Sequence, residues 1–414
     1  MPAIALTCTQ CHAEYPIGPM FHGCPLCRAA GTVAALGVTY DYDAIARALN
    51  INEWNVPSQS HSIWRFRALL PVSDPRCIVS LGEGNTALVR PRVVCEETGL
   101  NELYIKNETT NPTWAFKDRF HAASISMAKA LGFTKVTAST TGNHGSSAAA
   151  YAAAAGMASC AIFCHPESSV LQRNMIQLYG GTAFVLKDRD RYLEALVTDH
   201  GYYPSTTMEP MPVGTPYGVE GYKTIGYEIF LQLGRRVPDH LFCPISAGDS
   251  LYGPWKGFRE LRLMGISDRL PRMHGAQAAG CNPYVRSFQQ GLNEVVVHPD
   301  PRSIALSIRD EMGGKPALQA IYESGGDATD VTDEEILHAV RLLARSGFLV
   351  EPSSAASVAC AMKASREGRI RRDQTVVCLI TGSGAKWPEV LAGLVDRTAP
   401  VEPTWGQIQS DLSL

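Results

Sequence analysis

Three groups of residues in this chain have the types and spacing to do chemistry. The first is a lysine. In "NPTWAFKDRFHAASISMAKALG" (111–132), Lys117 stands between an aromatic residue and an acid–base pair, where a helical stretch begins. It is either a surface charge on a helix or a nucleophile at the mouth of a site. The segment alone does not choose. The second group is "CTQCHAEYPIGPMFHGCPLC", which sets Cys8, Cys11, Cys24 and Cys27 as two Cys-x-x-Cys pairs. A two-residue gap lets both sulfurs of a pair turn to one ion, and two pairs complete a tetrahedron of thiolates that suits zinc. Redox or disulfide pairs are the competing reading. A closed four-sulfur site leaves no open position for substrate, so such a zinc would be structural, with His12 and His22 as polar neighbours. The third group is a set of polar turns: "STTGNHG", "SAGDS" and "TGSG" follow the strand-like runs "TKVTA", "HLFCPI" and "QTVVCLI". Small residues between a strand and a helix form an anion cradle, because backbone N–H groups and the helix N-terminus converge there.

The elements that must position these groups alternate. "TKVTAST", "SCAIFCH", "TAFVLK", "HLFCPIS" and "QTVVCLIT" read as buried strands. Between them lie the helical stretches "NHGSSAAAYAAAAG", "EGYKTIGYEIFLQLG", "PWKGFRELRLMG", "DEEILHAVRLLARSG" and "SAASVACAMKASREG". Apolar strands alternating with helices predict an α/β fold of parallel sheets with helices on both faces. The 414 residues, 45% hydrophobic and 19% charged, can bury a sizeable core. A formal net charge of −3 gives no electrostatic case for nucleic acid. No apolar run reaches membrane-spanning length, and no secretory signal is visible. Twelve cysteines without an export signal point to a reducing, cytoplasmic location.

A lysine, phosphate-sized cradles and an α/β body together fit pyridoxal phosphate chemistry. The chain resembles the fold-type II pyridoxal-phosphate enzymes, and among them the threonine synthases. The likeness runs through "LGEGNTAL", "NPTWAFKDR", "STTGNHG", "VEGYKTIGYE", "SAGDSLYGPWKGF", "EPSSAAS" and "LITGSGAKWPE", in the family's order. It implies two open, twisted, mostly parallel sheets flanked by helices, as in the tryptophan synthase β subunit, with an N-terminal zinc knuckle. It divides the chain into a knuckle (1–32), a connecting segment (33–75), a catalytic domain (76–398, with a smaller subdomain at roughly 112–210) and a tail (399–414). It implies pyridoxal 5'-phosphate as cofactor, a small amino acid as substrate and a homodimeric assembly. The activity implied is elimination or replacement at the β or γ carbon through a Lys117 Schiff base; an amino-acid ammonia-lyase, a β-replacement synthase and a ligand-binding homologue without catalysis are the other readings.

Carried over by residue, Lys117 matches the Schiff-base lysine, with Phe116 beside it. Asn143 matches the partner of the cofactor's ring oxygen. Ser246, Ala247, Gly248, Asp249 and Ser250 match the phosphate loop, and Thr381 faces the ring nitrogen, with Ser383 as rival. Thr140, Thr141 and Gly142 match the loop that takes the substrate carboxylate, and Asn85 and Thr86 are further substrate candidates. His144 reads as a second proton carrier or a packing residue.

Four departures carry expectations. Asp249 places an acid beside a dianion and must either point away or accept an N–H. Trp114 replaces a glycine and is expected to desolvate Lys117 and reshape the pocket. Ser383 stands where the family has a histidine. Pro212, Val213 and Gly214 offer no side-chain donors where the family grips the phosphate of phosphohomoserine, so a poor phosphate grip is expected unless Arg173 or Lys187 rebuilds it.

Overall fold

In the computed structural model, which describes residues 3–55, 62–395 and 402–412, the apolar runs become strands covered on both faces, except that the run expected to be buried at Thr182–Val185 is a largely exposed sheet edge. Four of them form a parallel sheet in the order Thr182–Val185, Ser159–Cys164, Lys135–Thr140, Tyr203–Pro204. A second sheet has the order Asp327–Val331, Arg272–Ala278, His240–Pro244, Thr375–Ile380, Glu102–Asn107, Leu88–Val89. It is parallel except for the two-residue edge Leu88–Val89. Every residue of Thr375–Ile380 and of His240–Pro244 is buried, which explains runs without alternation.

The expected helices appear at Asn143–Ala154, Pro216–Gln232, Asp249–Leu263, Asp333–Arg345 and Pro352–Arg366. The strands Arg272–Ala278 and Asp327–Val331 escaped the sequence reading because they carry His274, Gln277 and Asp327. His274 and Asp327 are paired in place: His274 Nδ1 lies 2.7 Å from Asp327 Oδ1, and its Nε2 2.8 Å from His240 Nδ1. Gln277 Oε1 accepts the Tyr284 N–H at 2.9 Å, while its Nε2 finds no partner among the described residues.

Helix Lys117–Ala130 crosses Pro216–Gln232 at backbone contact. A Cβ on Gly221 would stand 1.8 Å from the Arg119 carbonyl oxygen, so only glycine fits there. Beneath the crossing, Arg119 is fully buried and donates to Glu108 and Glu228, while Lys106 donates to Glu228 at 2.7 Å. This closed cluster fixes the base of the Lys117 helix, since removing one member would strand the others' charge.

The N-terminal segment forms its own antiparallel sheet of Glu14–Tyr15, Ala5–Cys8 and Leu36–Thr39. Its last strand lies within the expected connecting segment. Trp54, Ile63, Trp64, Phe66 and Leu69 of that segment are buried in the main core, so the stretch is packed, not merely connecting. The tail carries an exposed helix at Trp405–Leu412. Among the described residues no helix is long and apolar enough to cross a membrane.

Candidate active site

Strands Lys135–Thr140, His240–Pro244 and Thr375–Ile380 all end toward one cavity of about 460 Å³, lying between the two sheets. Their polar turns line it, as does the first turn of the Lys117 helix. Thr140, Thr141, Asn143, Ser246 to Ser250, Thr381, Phe116 and Lys117 therefore meet in one place. Ligand sites at the carboxyl ends of parallel strands follow from that geometry.

The lysine turn is stitched to the Thr381 turn. Phe116 N–H donates to the Thr381 carbonyl at 2.8 Å, and Ser383 N–H to the Trp114 carbonyl at 3.0 Å. Asp118, buried, accepts Thr113 N–H, Thr113 Oγ1 and Ser147 Oγ, which ties the helix start to Asn143–Ala154. Phe116 stacks on Tyr222 with centroids 4.6 Å apart, and Lys117 Nζ sits 4.7 Å from the Phe116 ring. Burial holds the Lys117 amine below the usual lysine range, opposed by the charges of Asp249, Asp310 and Glu351. A desolvated amine is the form that attacks a carbonyl carbon.

Trp114 takes no part in this. Its side chain is 43% exposed and does not line the cavity, so the expected reshaping of the pocket is absent. Its backbone has φ +62°, in the left-handed region. Bulky residues there carry strain of about 1 kcal/mol or more. Trp114→Gly is therefore expected to raise stability by up to about 1 kcal/mol, after the greater flexibility of glycine in the unfolded chain is subtracted, and to leave turnover unchanged. Paired thermal melts and steady-state assays check both halves.

The phosphate turn behaves as a cradle. Gly248 has φ +110°, and a Cβ there would stand 2.3 Å from the Tyr284 hydroxyl. The N–H groups of Ala247, Gly248, Asp249 and Ser250 find no acceptor among the described residues and open helix Asp249–Leu263. Unpaired donors at a helix start suit a phosphate. Asp249 resolves as one of its two expected outcomes: its Oδ2 accepts the Gly214 N–H at 2.9 Å. Burial raises its carboxyl above the usual range. Ser246 donates to Asp310, a second acid on this wall.

Thr381 presents its hydroxyl to the cavity, held by Ser354 Oγ at 2.9 Å, whereas Ser383 caps Ala385 N–H outside it. Thr140 Oγ1 accepts the N–H groups of Gly142 and Gly145, which shapes the adjoining turn. His144 places Nε2 2.7 Å from the Ser205 carbonyl, which assigns that nitrogen the proton. Burial, then the Lys117 charge, push its pKa to about 3, so it is a neutral imidazole packed on Phe120 and His121.

Asn85 and Thr86 do not line the cavity. Asn85 N–H donates to Glu228 at 2.7 Å and Thr86 Oγ1 to Glu108 at 2.6 Å, as part of the buried charge cluster. Arg173 and Lys187 are also absent from the lining, while Arg189 and Arg309 are present. Arg309 is paired with Glu167. Arg189 has no ion pair among the described residues; it donates to the Thr140 carbonyl at 3.1 Å, and its Nε is buried without a partner. Glu351, in the cavity wall, is the other functional candidate that sequence reasoning passed over. An acid between the apolar "FLV" and a helix-starting proline was the available signal.

The four cysteines also converge. Their sulfurs lie within 4.8 Å of one another, with Cys8–Cys27 at 3.7 Å and Cys11–Cys24 at 3.6 Å. Zinc–sulfur bonds of about 2.3 Å in a tetrahedron would separate sulfurs by about 3.8 Å.

Known proteins agree with this geometry. Residues 79–382 match the family described as pyridoxal-phosphate dependent enzyme. A threonine synthase of Methanocaldococcus jannaschii is 37% identical over 398 residues, covering 95% of this chain and 96% of that one. A threonine synthase of Methanosarcina acetivorans is 36% identical, covering 96% of both. Among solved structures, the processed form of threonine deaminase isoform 2 from Solanum lycopersicum superposes with a TM-score of 0.64 at 18% identity, over 81% of this chain and 94% of that one. Maize serine racemase gives 0.62 at 20% identity, over 75% and 93%. The last two share the fold. The chain belongs to the pyridoxal-phosphate dependent enzymes, in their threonine synthase-like group. Members of this group are lyases that eliminate or replace at the β or γ carbon of a small amino acid.

Proposed function

We propose that this chain is a threonine synthase: it releases phosphate from the γ carbon of phosphohomoserine and adds water at the β carbon. The observation that carries the reading is the pairing of Lys117 with an unneutralised cation, Arg189, in one cavity. Pyridoxal phosphate, when bound, supplies the electron sink next to the substrate's α carbon. The protein's residues do the rest. Lys117 would hold the cofactor and, as a free amine, would move protons at its Nζ. The N–H groups of Ala247 to Ser250 hold the cofactor phosphate, Asn143 its ring oxygen, and Thr381 Oγ1 its ring nitrogen as a neutral partner. The Thr140–Thr141–Gly142 turn receives the substrate carboxylate. Arg189 takes the substrate phosphate, which reverses the sequence expectation of a poor grip. A phosphate near two negative charges needs such a donor to leave water. The four cysteines hold a structural zinc.

With phosphohomoserine, the holoenzyme is expected to release phosphate and threonine in equal amounts, with kcat/KM of about 10⁴ M⁻¹s⁻¹ or more. Ammonia and keto acid from serine or threonine at that rate, without phosphate from phosphohomoserine, would overturn the reading. Arg189→Ala is expected to raise KM for phosphohomoserine on the order of tenfold or more, the loss of one charge-assisted pair. An unchanged KM would remove Arg189 from the site.

A further inference from the structure

Glu351 is only 1% exposed, yet no cation lies within ion-pair distance of it among the described residues. Its Oε2 accepts two neutral donors, Asn143 Nδ2 at 2.8 Å and Trp387 Nε1 at 2.6 Å. Its Oε1 has no partner among the described residues, and the carboxyl lines the cavity. A bare Gly382 keeps that space open, since a Cβ there would stand 2.9 Å from Oε1 and 3.1 Å from Asn143 Nδ2. Burial pushes the Glu351 carboxyl above the usual carboxylate range, opposed by the Asn143 and Trp387 hydrogen bonds and by the Lys386 and Lys117 charges. A buried carboxylate without an ion pair is expensive to fold. Such a group persists where a site uses it.

Asn143 shows the use. Its Oδ1 accepts Gln172 Nε2 at 3.0 Å, while its Nδ2 donates to Glu351. When Glu351 is ionised it only accepts, so the Asn143 amide cannot then be flipped without setting oxygen against oxygen. One Nδ2 hydrogen goes to Glu351, and the second is left for the cavity. Glu351 thus decides that Asn143 presents a donor, not an acceptor, to whatever oxygen lies there.

We propose that Glu351 is a positioning residue: it orients the Asn143 amide toward the cofactor's ring oxygen and places a negative charge beside the Lys117–cofactor linkage. This rests on the cofactor-binding reading of the site and not on the identity of the substrate. The charged and titratable groups facing Lys117 are Asp249, Asp310, Glu351, His144 and His121; those facing Glu351 are Lys386 and Lys117. Lys386, buried, donates to the Thr113 carbonyl at 2.6 Å and feels Asp118 as well as Glu351. Among them Glu351 is the acid that grips Asn143, the expected partner of the cofactor's ring oxygen.

The test separates charge from orientation. Glu351→Gln keeps an acceptor for Asn143 and Trp387 and removes the charge. A negative charge favours a protonated linkage nitrogen, so its loss must lower the midpoint of that proton's release. In the purified holoenzyme, the pH midpoint of the cofactor's visible absorbance is expected to fall by about one unit, with cofactor affinity within threefold of the starting protein. Glu351→Ala removes the acceptor too, and cofactor Kd is expected to rise about tenfold. An unmoved midpoint in Glu351→Gln would show a neutral Glu351 and overturn the charge. An unmoved Kd in folded Glu351→Ala would overturn the orientation. If neither variant takes up cofactor while Asn143→Ala does, the role is structural and the proposal fails. If no variant and not even the starting protein binds cofactor, the reading of the site itself falls instead.

Discussion

Lys117→Ala is expected to abolish turnover, by on the order of 10³-fold or more, and to remove the visible absorbance of the bound cofactor. The fold should survive. Lys117 makes no hydrogen bond or ion pair among the described residues; its neighbours are the Phe116 and Tyr222 rings. Burial disfavours its charge more than the surrounding acids favour it. Deleting the amine therefore leaves no partner stranded, in contrast to Arg119 two residues on, whose guanidinium joins Glu108 to Glu228. Thermal melts of apo protein should coincide within a degree or two, while absorbance and activity vanish together. A variant that still turns over at a tenth of the starting rate would remove Lys117 from the chemistry. A variant that loses activity and also melts early would show a structural lysine.

Much of this site could be read from the sequence because its chemistry sits in turns that punctuate apolar strands. Thr140 ends a buried run of the smaller sheet, and Ser246 and Thr381 come just after buried runs of the larger one, so each parallel sheet delivers its turns to its carboxyl edge, and both edges face the cavity. The same logic placed Lys117, at the first turn of a helix. Residues that are near only in space were not legible. Arg189 begins a helix of the smaller sheet's layer and Arg309 follows a short turn of the larger one; nothing in the sequence sets them side by side. "GEGNT" misled for a different reason. A polar turn can face a ligand or a buried charge cluster, and Glu228, more than a hundred residues away, decides the matter by accepting the Asn85 N–H. Trp114 misled because bulk says nothing of direction. The left-handed backbone at that position turns the indole outward.

Removing the proposed zinc is expected to reach the active site as well as the N-terminal segment. The loop between the two cysteine pairs lies against the chain that forms one wall of the cavity. Tyr217 Oη donates to the Gly18 carbonyl at 2.7 Å and accepts the Gly18 N–H at 2.9 Å. Phe21 packs edge-on against Tyr203 with centroids 5.1 Å apart. A Cβ on Gly23 would stand 2.6 Å from the sulfur of Met211, and Met211, Pro212 and Gly214 line the cavity. The sheet that carries this loop is three short strands, too little to hold it without a cross-link. Replacing Cys24 and Cys27 with serine is therefore expected to bring zinc content from one ion per chain to none and to lower the melting temperature. It should also raise KM for substrate by about tenfold, through a wall displaced by a fraction of an ångström to about 1 Å. Cofactor absorbance should stay, since Lys117 and the phosphate turn sit at helix starts, while the N-terminal sheet meets helix Asp249–Leu263 further along, where Lys256 Nζ donates to the Val38 carbonyl at 2.6 Å. Metal analysis, melts and steady-state kinetics on the same preparation decide it. Freshly purified protein without zinc would end the metal assignment, and zinc-free protein with an unchanged KM would show that the loop holds its place without the ion.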